Sequence, residues 1–392
     1  MSFVGIAAIL GLAVLVSMGR RRIDWRLVVW GVALQYVFAL LVLKTYPDQI
    51  FAGAQILFLK IEFFAKTGGR FLFGPLIDDN RYVILTMGSV IIFVSSIMAV
   101  LNFARVLPAV IYFLAVVMQR TMRTSGAETL AAAMFIIMGI EGVTALRTVI
   151  GRMTQSELFT VMTCFLATIA GSVMAVYVGV FGASAGYILS ASLMNAPAAL
   201  VISKMLVPET QVPETSGSVQ WKMLLPAERG FVEAAANGAI DGLRLVAAIG
   251  AILLAFVAII GVLDACLGLA GTSFEALGSY LFAPVAFVLG VPWADCLAAG
   301  KLLALKVVFN EWLAYSRMKE MIAAGELSPR AVAVCTYALC SFANFGSVGI
   351  LIGGISALAP DRKQEVIRMG LRALLSGVMA GFLTAAVAGT LI

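Results

Sequence analysis

The chain reads as long apolar runs separated by short polar breaks. The runs cover residues 2–18, 27–43, 82–103, 158–181, 246–263 and 373–392, and each can cross or nearly cross a hydrocarbon core of ~30 Å at ~1.5 Å per helical residue. None alternates with the period of two that barrel strands need, so the pattern predicts helices. Residues 48–66 mix Lys60, Glu62 and Lys66 with a broad apolar face, which predicts a helix lying in the membrane interface. The segment 107–121, after the Leu107–Pro108 break, reads the same way. Residues 208–227 are the least hydrophobic and carry three prolines. They predict a loop outside the membrane or at its surface, and they divide the chain into two comparable halves.

The halves share an order of parts. In the first, an interrupted apolar segment over about 126–150 carries Glu141. Thr154 and Glu157 follow with the spacing of a capping box, and then a long apolar run holds the polar break "TIAGS" at 168–172. In the second, an interrupted segment over about 296–322 carries Asn310 and Glu311. Ser328 as N-cap and Pro329 at the first helical position follow, and then a run holds the break "NFGS" at 344–347. Broken backbone inside a bilayer is tolerated only where protein or a wet cavity surrounds it. Two such devices in matching places point to a secondary transporter with its site near the midplane.

Composition narrows the class. Of 392 residues, 62% are hydrophobic and 12% charged, and the mean hydropathy is +1.03, outside the range of soluble domains. This predicts an integral membrane protein whose partner is a lipid bilayer. The net charge of +6 sits in short loops, with Arg20, Arg21, Arg22 and Arg26 after the first run and Arg362, Lys363, Arg368 and Arg372 before the last. The positive-inside rule makes both loops cytoplasmic and places both termini outside. The first run lacks a basic region before it, so it reads as an anchored helix rather than a signal peptide. The five cysteines lie in or beside apolar segments without a C-x-x-C pair, as small core hydrophobes. Histidine is absent, so proton chemistry falls to carboxylates. No Ser, His and Asp set, no Cys/His cluster and no glycine-rich phosphate loop appears, so an enzyme is not expected and no organic cofactor is implied. Nothing marks a nucleic-acid partner.

A few polar residues remain inside apolar sequence. Glu311 in "KVVFNEWLAY" is either functional or paired locally with Lys306 or Lys301, because an unpaired buried carboxylate costs several kcal/mol. Glu141 is either functional or paired with Arg147. Asn344 and Ser347, three apart and expected on one face, are either interhelical glue or, with Glu311, ligands for a polyhydroxylated molecule, with Phe342 as an apolar wall. Asp264 and Asp295 read as solvated near membrane surfaces. Asn237 and Asp241 read as caps or glue of an amphipathic segment.

These residues together resemble the concentrative nucleoside transporter family, of the bacterial type. The similarity covers about 82 to 392, in "SGAETLAAA" (125–133), "MTQSEL" (153–158), "ATIAGSVMA" (167–175), "NAPAALVISKMLVPET" (195–210), "EAAANGAIDGLRL" (233–245), "NEWLAY" (310–315) and "YALCSFANFGS" (337–347). The resemblance implies an all-α polytopic membrane protein with eight transmembrane helices, two re-entrant hairpins and interfacial helices in an inverted repeat. It implies an elevator-type transport domain on a homotrimeric scaffold, importing a nucleoside with a coupling cation across an inner membrane. The corresponding division is 1–122 for N-terminal spans and interfacial helices, mostly scaffold, and 123–206 for the first hairpin and broken helix. Residues 207–294 form a loop and scaffold helix, and 295–392 form the second hairpin, broken helix and last span.

By position, Glu311, Asn344 and Ser347 match the family's ribose-binding residues, Phe342 and Val173 those packing on the base, and Glu141 the first-hairpin glutamate. The family pattern there is G-Q-T-E-x-P, whereas this chain has Gly139 and Ile140 in place of the base-binding glutamine and threonine. Base selection is therefore expected to be altered, because fewer buried donors discriminate less. The sodium site is also expected to be degraded. Met134 replaces its asparagine, while Thr168 keeps a hydroxyl and Ile137 and Ile169 can lend carbonyls. A thioether is a poor ligand for a hard cation, so the coupling ion is expected to be H+ rather than Na+, carried by Glu141 or Glu311. Two alternatives stand beside this: a non-transporting nucleoside receptor or sensor, and a transporter of another polar metabolite.

Overall fold

A computed structural model describes residues 1–45, 47–79, 82–217, 219, 221–225 and 228–392, with the backbone alone described at 44, 45, 47–51, 83, 140, 141 and 144. Among the described residues the regular elements are all helical. The first half comprises α1 (Ser2–Val16), α2 (Trp25–Leu40), α3 (Pro47–Phe73), α4 (Val83–Phe103), α5 (Val106–Met122), α6 (Gly126–Met134), α7 (Gln155–Ala167), α8 (Gly171–Gly179) and α9 (Ala185–Leu206). The second comprises α10 (Phe231–Gly268), α11 (Phe274–Leu289), α12 (Cys296–Val308), α13 (Glu311–Ala323), α14 (Pro329–Leu339), α15 (Phe345–Leu358) and α16 (Lys363–Gly389). Six helical stretches among the described residues are long and apolar enough to cross a membrane: Trp25–Leu43, Ile84–Phe103, Gln155–Gly179, Ala185–Leu206, Phe231–Gly268 and Pro360–Gly389. Four other apolar helices are shorter, including α1 and α15.

The expected interruptions are present. The capping box Thr154/Glu157 opens α7, and its run breaks at Thr168 before resuming at Gly171. Ser328 caps α14 with Pro329 following it. The second break lies slightly upstream of the expected 344–347, between Leu339 and Phe345, because Asn344 caps α15 instead of lying inside the gap. The helix expected at 48–66 runs longer, to Phe73, and 246–263 forms the middle of the 38-residue α10. A second capping box, Ser125/Glu128, opens α6.

Packing divides these helices sharply. Residues 156–178 are all buried, whereas α10 buries only Ala234, Gly238, Gly242 and Ile249 of its 38 residues. Helix α10 lies along α4 through Gly238 and Gly242, where an added Cβ would come within 2.6 Å of the Ser95 carbonyl oxygen and 2.8 Å of the Ile92 Cα. Small residues allow such backbone approach where the hydrophobic effect does not drive helices together. Helices α11 and α12 cross in the same way, with Gly300 against the Ser279 carbonyl and Gly278 against the Ala304 methyl.

Helix α16 marks the two ends of the bundle, ~40 Å apart at ~1.5 Å per residue. At its start, Arg362 donates to the carbonyls of Ile150 and Met153, the latter at 2.8 Å. At its far end, Arg330 donates to the carbonyls of Gly290 at 3.0 Å and Gly389 at 2.8 Å. The segment after α6 thus returns to one end, and the segment between α11 and α12 lies at the other. At the first end, Lys204 meets the Glu128 carboxylate and donates to Glu209 at 3.2 Å and to the Ser156 hydroxyl at 2.8 Å. Thr215 of the 207–217 loop accepts from the N–H of Ala127 at 3.0 Å. These contacts fasten the loop across the starts of α6 and α7.

Candidate functional site

Three interrupted elements meet at one carboxylate. Helix α12 ends at Val308, and Asn310 caps α13 by accepting from the Leu313 N–H at 2.9 Å. This makes Glu311 the first helical residue, where the helix dipole favours negative charge. Glu311 is 2% exposed. The Tyr177 phenol of α8 donates to its Oε1 at 3.0 Å, and the Asn344 amide donates to its Oε2 at 2.8 Å. Asn344 also accepts from the Ser347 N–H at 2.8 Å.

The breaks are bonded to each other and to hairpin-like segments. The Phe342 N–H donates to the Thr168 carbonyl at 3.0 Å, the Asn195 amide to the Cys340 carbonyl at 2.6 Å, and the Gly171 N–H to the Ile137 carbonyl at 2.8 Å. Backbone groups freed by each break therefore find partners inside the protein, as a low-dielectric setting demands.

Around Glu311 is a cavity of about 60 Å³ whose walls include Gly139, Val173, Glu311, Phe342, Asn344 and Ser347, with Leu245, Ile249, Ile252 and Leu253 of α10 closing one side. Those six are residues singled out from sequence, brought together from four separate elements. A second cavity of about 580 Å³, with Met134, Ile137, Arg147 and Lys222 in its walls, meets the first at Gly139 and Ala170. Thr168 and Ile169 are buried and line neither cavity. Ile140 and Glu141 lie in a short 3-10 turn, Ile140–Leu146; their side chains fall outside the described set, so neither a role nor the Arg147 pairing is placed.

Several local expectations are corrected. Asn344 and Ser347 do not act as two neighbours on a helix face, because Asn344 is the cap and its amide is used at both ends. Glu311 is not hydrogen-bonded to Lys306 or Lys301. Lys306 is wholly buried with no hydrogen-bond partner, its ammonium 5.7 Å from the Phe382 ring centroid. Asp295 accepts from the Ser328 hydroxyl at 2.5 Å and Asp264 from the Phe274 N–H at 2.7 Å, so both join separate segments of the chain rather than being free solvated acids. Asp241 pairs with Arg244 at 2.9 Å. Of the five cysteines, Cys266 is exposed on α10 and the other four are buried. Tyr177, Trp312 and Asn195 were not singled out by sequence. The available signal for Tyr177 was a lone phenol in an apolar run, since a buried hydroxyl needs a partner.

The cation candidates form a sparse set of oxygens. Met134 is wholly buried, its Cε and Cγ 3.3 and 3.4 Å from where a Cβ on Gly142 would stand. The Thr168 hydroxyl donates to the Cys164 carbonyl at 2.8 Å, and the Ile137 carbonyl already accepts from Gly171. No group of three acidic, cysteine or histidine side chains suited to a metal occurs among the described residues.

Comparison with known proteins accounts for nearly the whole chain. Residues 187–389 match the family described as Na+ dependent nucleoside transporter C-terminus, residues 4–76 its N-terminus, and residues 84–184 the family described as nucleoside recognition. The transporter YutK of Bacillus subtilis is 37% identical over 400 residues, covering 99% of this chain and 98% of that protein. Solute carrier family 28 member 3 of Eptatretus stoutii is 38% identical over 414 residues, covering 99% of this chain and 60% of that protein, so the chain spans little over half the length of this relative. The structure of CNTnw in an inward-facing substrate-bound state superposes with a TM-score of 0.92 at 35% identity, covering 99% of this chain and 96% of that one. These relatives are transporters, not enzymes, and the family description favours sodium over the proton expected from Met134. The chain belongs to the concentrative nucleoside transporter family.

Proposed function

We propose that this protein imports nucleosides across a bacterial inner membrane by cation symport. In this reading Glu311, Asn344 and Ser347 hold the ribose hydroxyls, while Phe342 and Val173 pack on the base. The observation that carries it is the Glu311–Asn344 pair in the wall of a small, otherwise apolar cavity. A carboxylate accepts hydroxyl hydrogens in strong charge-assisted bonds, and apolar walls suit a flat base. The cavity of about 60 Å³ is too small for a nucleoside, so entry requires it to widen toward the larger cavity that meets it at Gly139. Gly139 and Ile140 bring no base-binding amide or hydroxyl there, which favours relaxed base selection.

The transport domain comprises 123–206 and 295–392, moving as an elevator on a scaffold of 1–122 and 207–294 within a homotrimer. Segments 126–150 and 296–322 serve as the re-entrant hairpins of an eight-span inverted repeat. The breaks bonded to one another support a unit that moves as one body, and the glycine-mediated α4–α10 contact supports a separate scaffold. Both termini lie outside. Glu141 completes the ligand set from the first hairpin.

Sodium is the first coupling ion, held through the Thr168 hydroxyl and the carbonyls of Ile137 and Ile169. Met134 favours a second reading, proton coupling through Glu311 or Glu141. Uptake of labelled uridine by proteoliposomes under imposed sodium and proton gradients tests both. Accumulation that requires sodium supports the first reading, and accumulation driven by external acid alone supports the second. Binding without accumulation under either gradient would leave a receptor, and failure of every nucleoside to compete would remove the nucleoside reading.

A further inference from the structure

Tyr177 touches the site from behind. Glu311, Asn344 and Ser347 are in the cavity wall and Tyr177 is not, yet its phenol donates to Glu311 Oε1 at 3.0 Å. The ring is wholly buried. It stacks on Tyr315 with centroids 4.4 Å apart, and meets the edges of Trp312 at 5.3 Å. Phe181 stacks beyond it at 6.2 Å. Tyr315 is itself fixed, because its phenol donates to the Thr336 carbonyl at 2.8 Å. Tyr177 thus has one polar partner and no room to leave it.

The consequence falls on the carboxylate. An ionised carboxyl group offers about four acceptor sites on two oxygens. Tyr177 takes one on Oε1 and Asn344 one on Oε2, so each oxygen keeps capacity for a further hydrogen. Held from two helices, the group cannot rotate to suit a ligand, and its remaining acceptor directions are set before the ligand arrives. Such preorganisation makes affinity depend on where the ligand carries hydroxyls.

We propose that Tyr177 is a positioning residue that fixes the Glu311 carboxylate for a sugar hydroxyl and thereby makes affinity depend on that hydroxyl. This rests on the ribose reading given above. The phenol contributes nothing to the base and acts only through Glu311. Its loss therefore weakens ligands that use Glu311 and spares those that do not.

The test compares uridine with 2′-deoxyuridine and 3′-deoxyuridine in binding and uptake by reconstituted protein, for the wild type, Tyr177→Phe and Tyr315→Phe. The wild type is expected to prefer uridine by about tenfold or more over at least one deoxy analogue, as loss of one charge-assisted hydrogen bond implies. Tyr177→Phe should weaken uridine about tenfold and leave that analogue unchanged, so that the preference collapses. Tyr315→Phe removes a phenol from the same stack without touching Glu311 and should keep the preference. Equal weakening of all three ligands by Tyr177→Phe, or an unchanged preference, overturns the positioning role while leaving the ribose reading intact. A wild type that binds uridine and both analogues equally overturns the ribose reading and this inference with it.

Discussion

Asn344 donates to Glu311 at 2.8 Å, joining the cap of one interrupted helix to the first residue of another. The sequence left each open to a structural or a ligand-binding role, and in the structure they hold each other. Substitution at either therefore affects the protein as well as any substrate.

Glu311→Gln is expected to assemble, since the amide keeps the shape and one acceptor, and to lose about 10- to 100-fold of uridine binding with the charge-assisted bonds. Asn344→Ala should lose binding too, with a further cost of about 1 kcal/mol for the missing cap. Melting in detergent beside binding separates the two. A Glu311→Gln protein that fails to assemble would assign the pair to structure alone.

Lys306 is a buried ammonium without a hydrogen-bond partner, a costly arrangement that packing alone does not require. Lys306→Met, of similar volume, is expected to raise the melting temperature and reduce uptake. A fall in melting temperature would show that the ammonium stabilises the fold.

The first hairpin carries the departure from the family pattern. Gly139→Gln combined with Ile140→Thr is expected to sharpen preference for uridine over adenosine and inosine in competition assays. Unchanged selectivity would move the base away from that hairpin.

Glu209 lies outside the membrane-crossing stretches. Partial burial pushes its carboxyl up, but the Lys204 ammonium, with bonds from Thr154, Gln211 and Lys204, outweighs burial and holds it below its ordinary value of 4.5. A lowered folded value gives stability that is full above the unfolded value and lost as pH falls through the folded one. The melting difference between wild type and Glu209→Gln should be steady at pH well above the ordinary value of 4.5 and shrink as pH falls through the lowered folded value. A difference that grows on acidification would reverse the sign.

Helices, their breaks and their caps were legible because their signals are local. The Thr154/Glu157 box and the Ser328–Pro329 start need only residues within one turn, and the apolar runs need only length. The family blocks added which residues to watch, and Gly139, Val173, Glu311, Phe342, Asn344 and Ser347 do border one cavity. What remained hidden was pairing across distance. Tyr177 and Glu311 are 134 positions apart, and Asn195 and Cys340 are 145 apart. No periodicity relates such residues; the packing of α8, α9, α13 and the end of α14 does. The same packing gave the Lys306 ammonium no hydrogen-bond partner and set it over the Phe382 ring, within electrostatic reach of Glu311 five positions on. Sequence by itself determined where the chain breaks and which groups are polar in apolar surroundings. Tertiary structure decided which of those groups satisfy one another, since a buried polar group takes the partner that packing brings within ~3 Å.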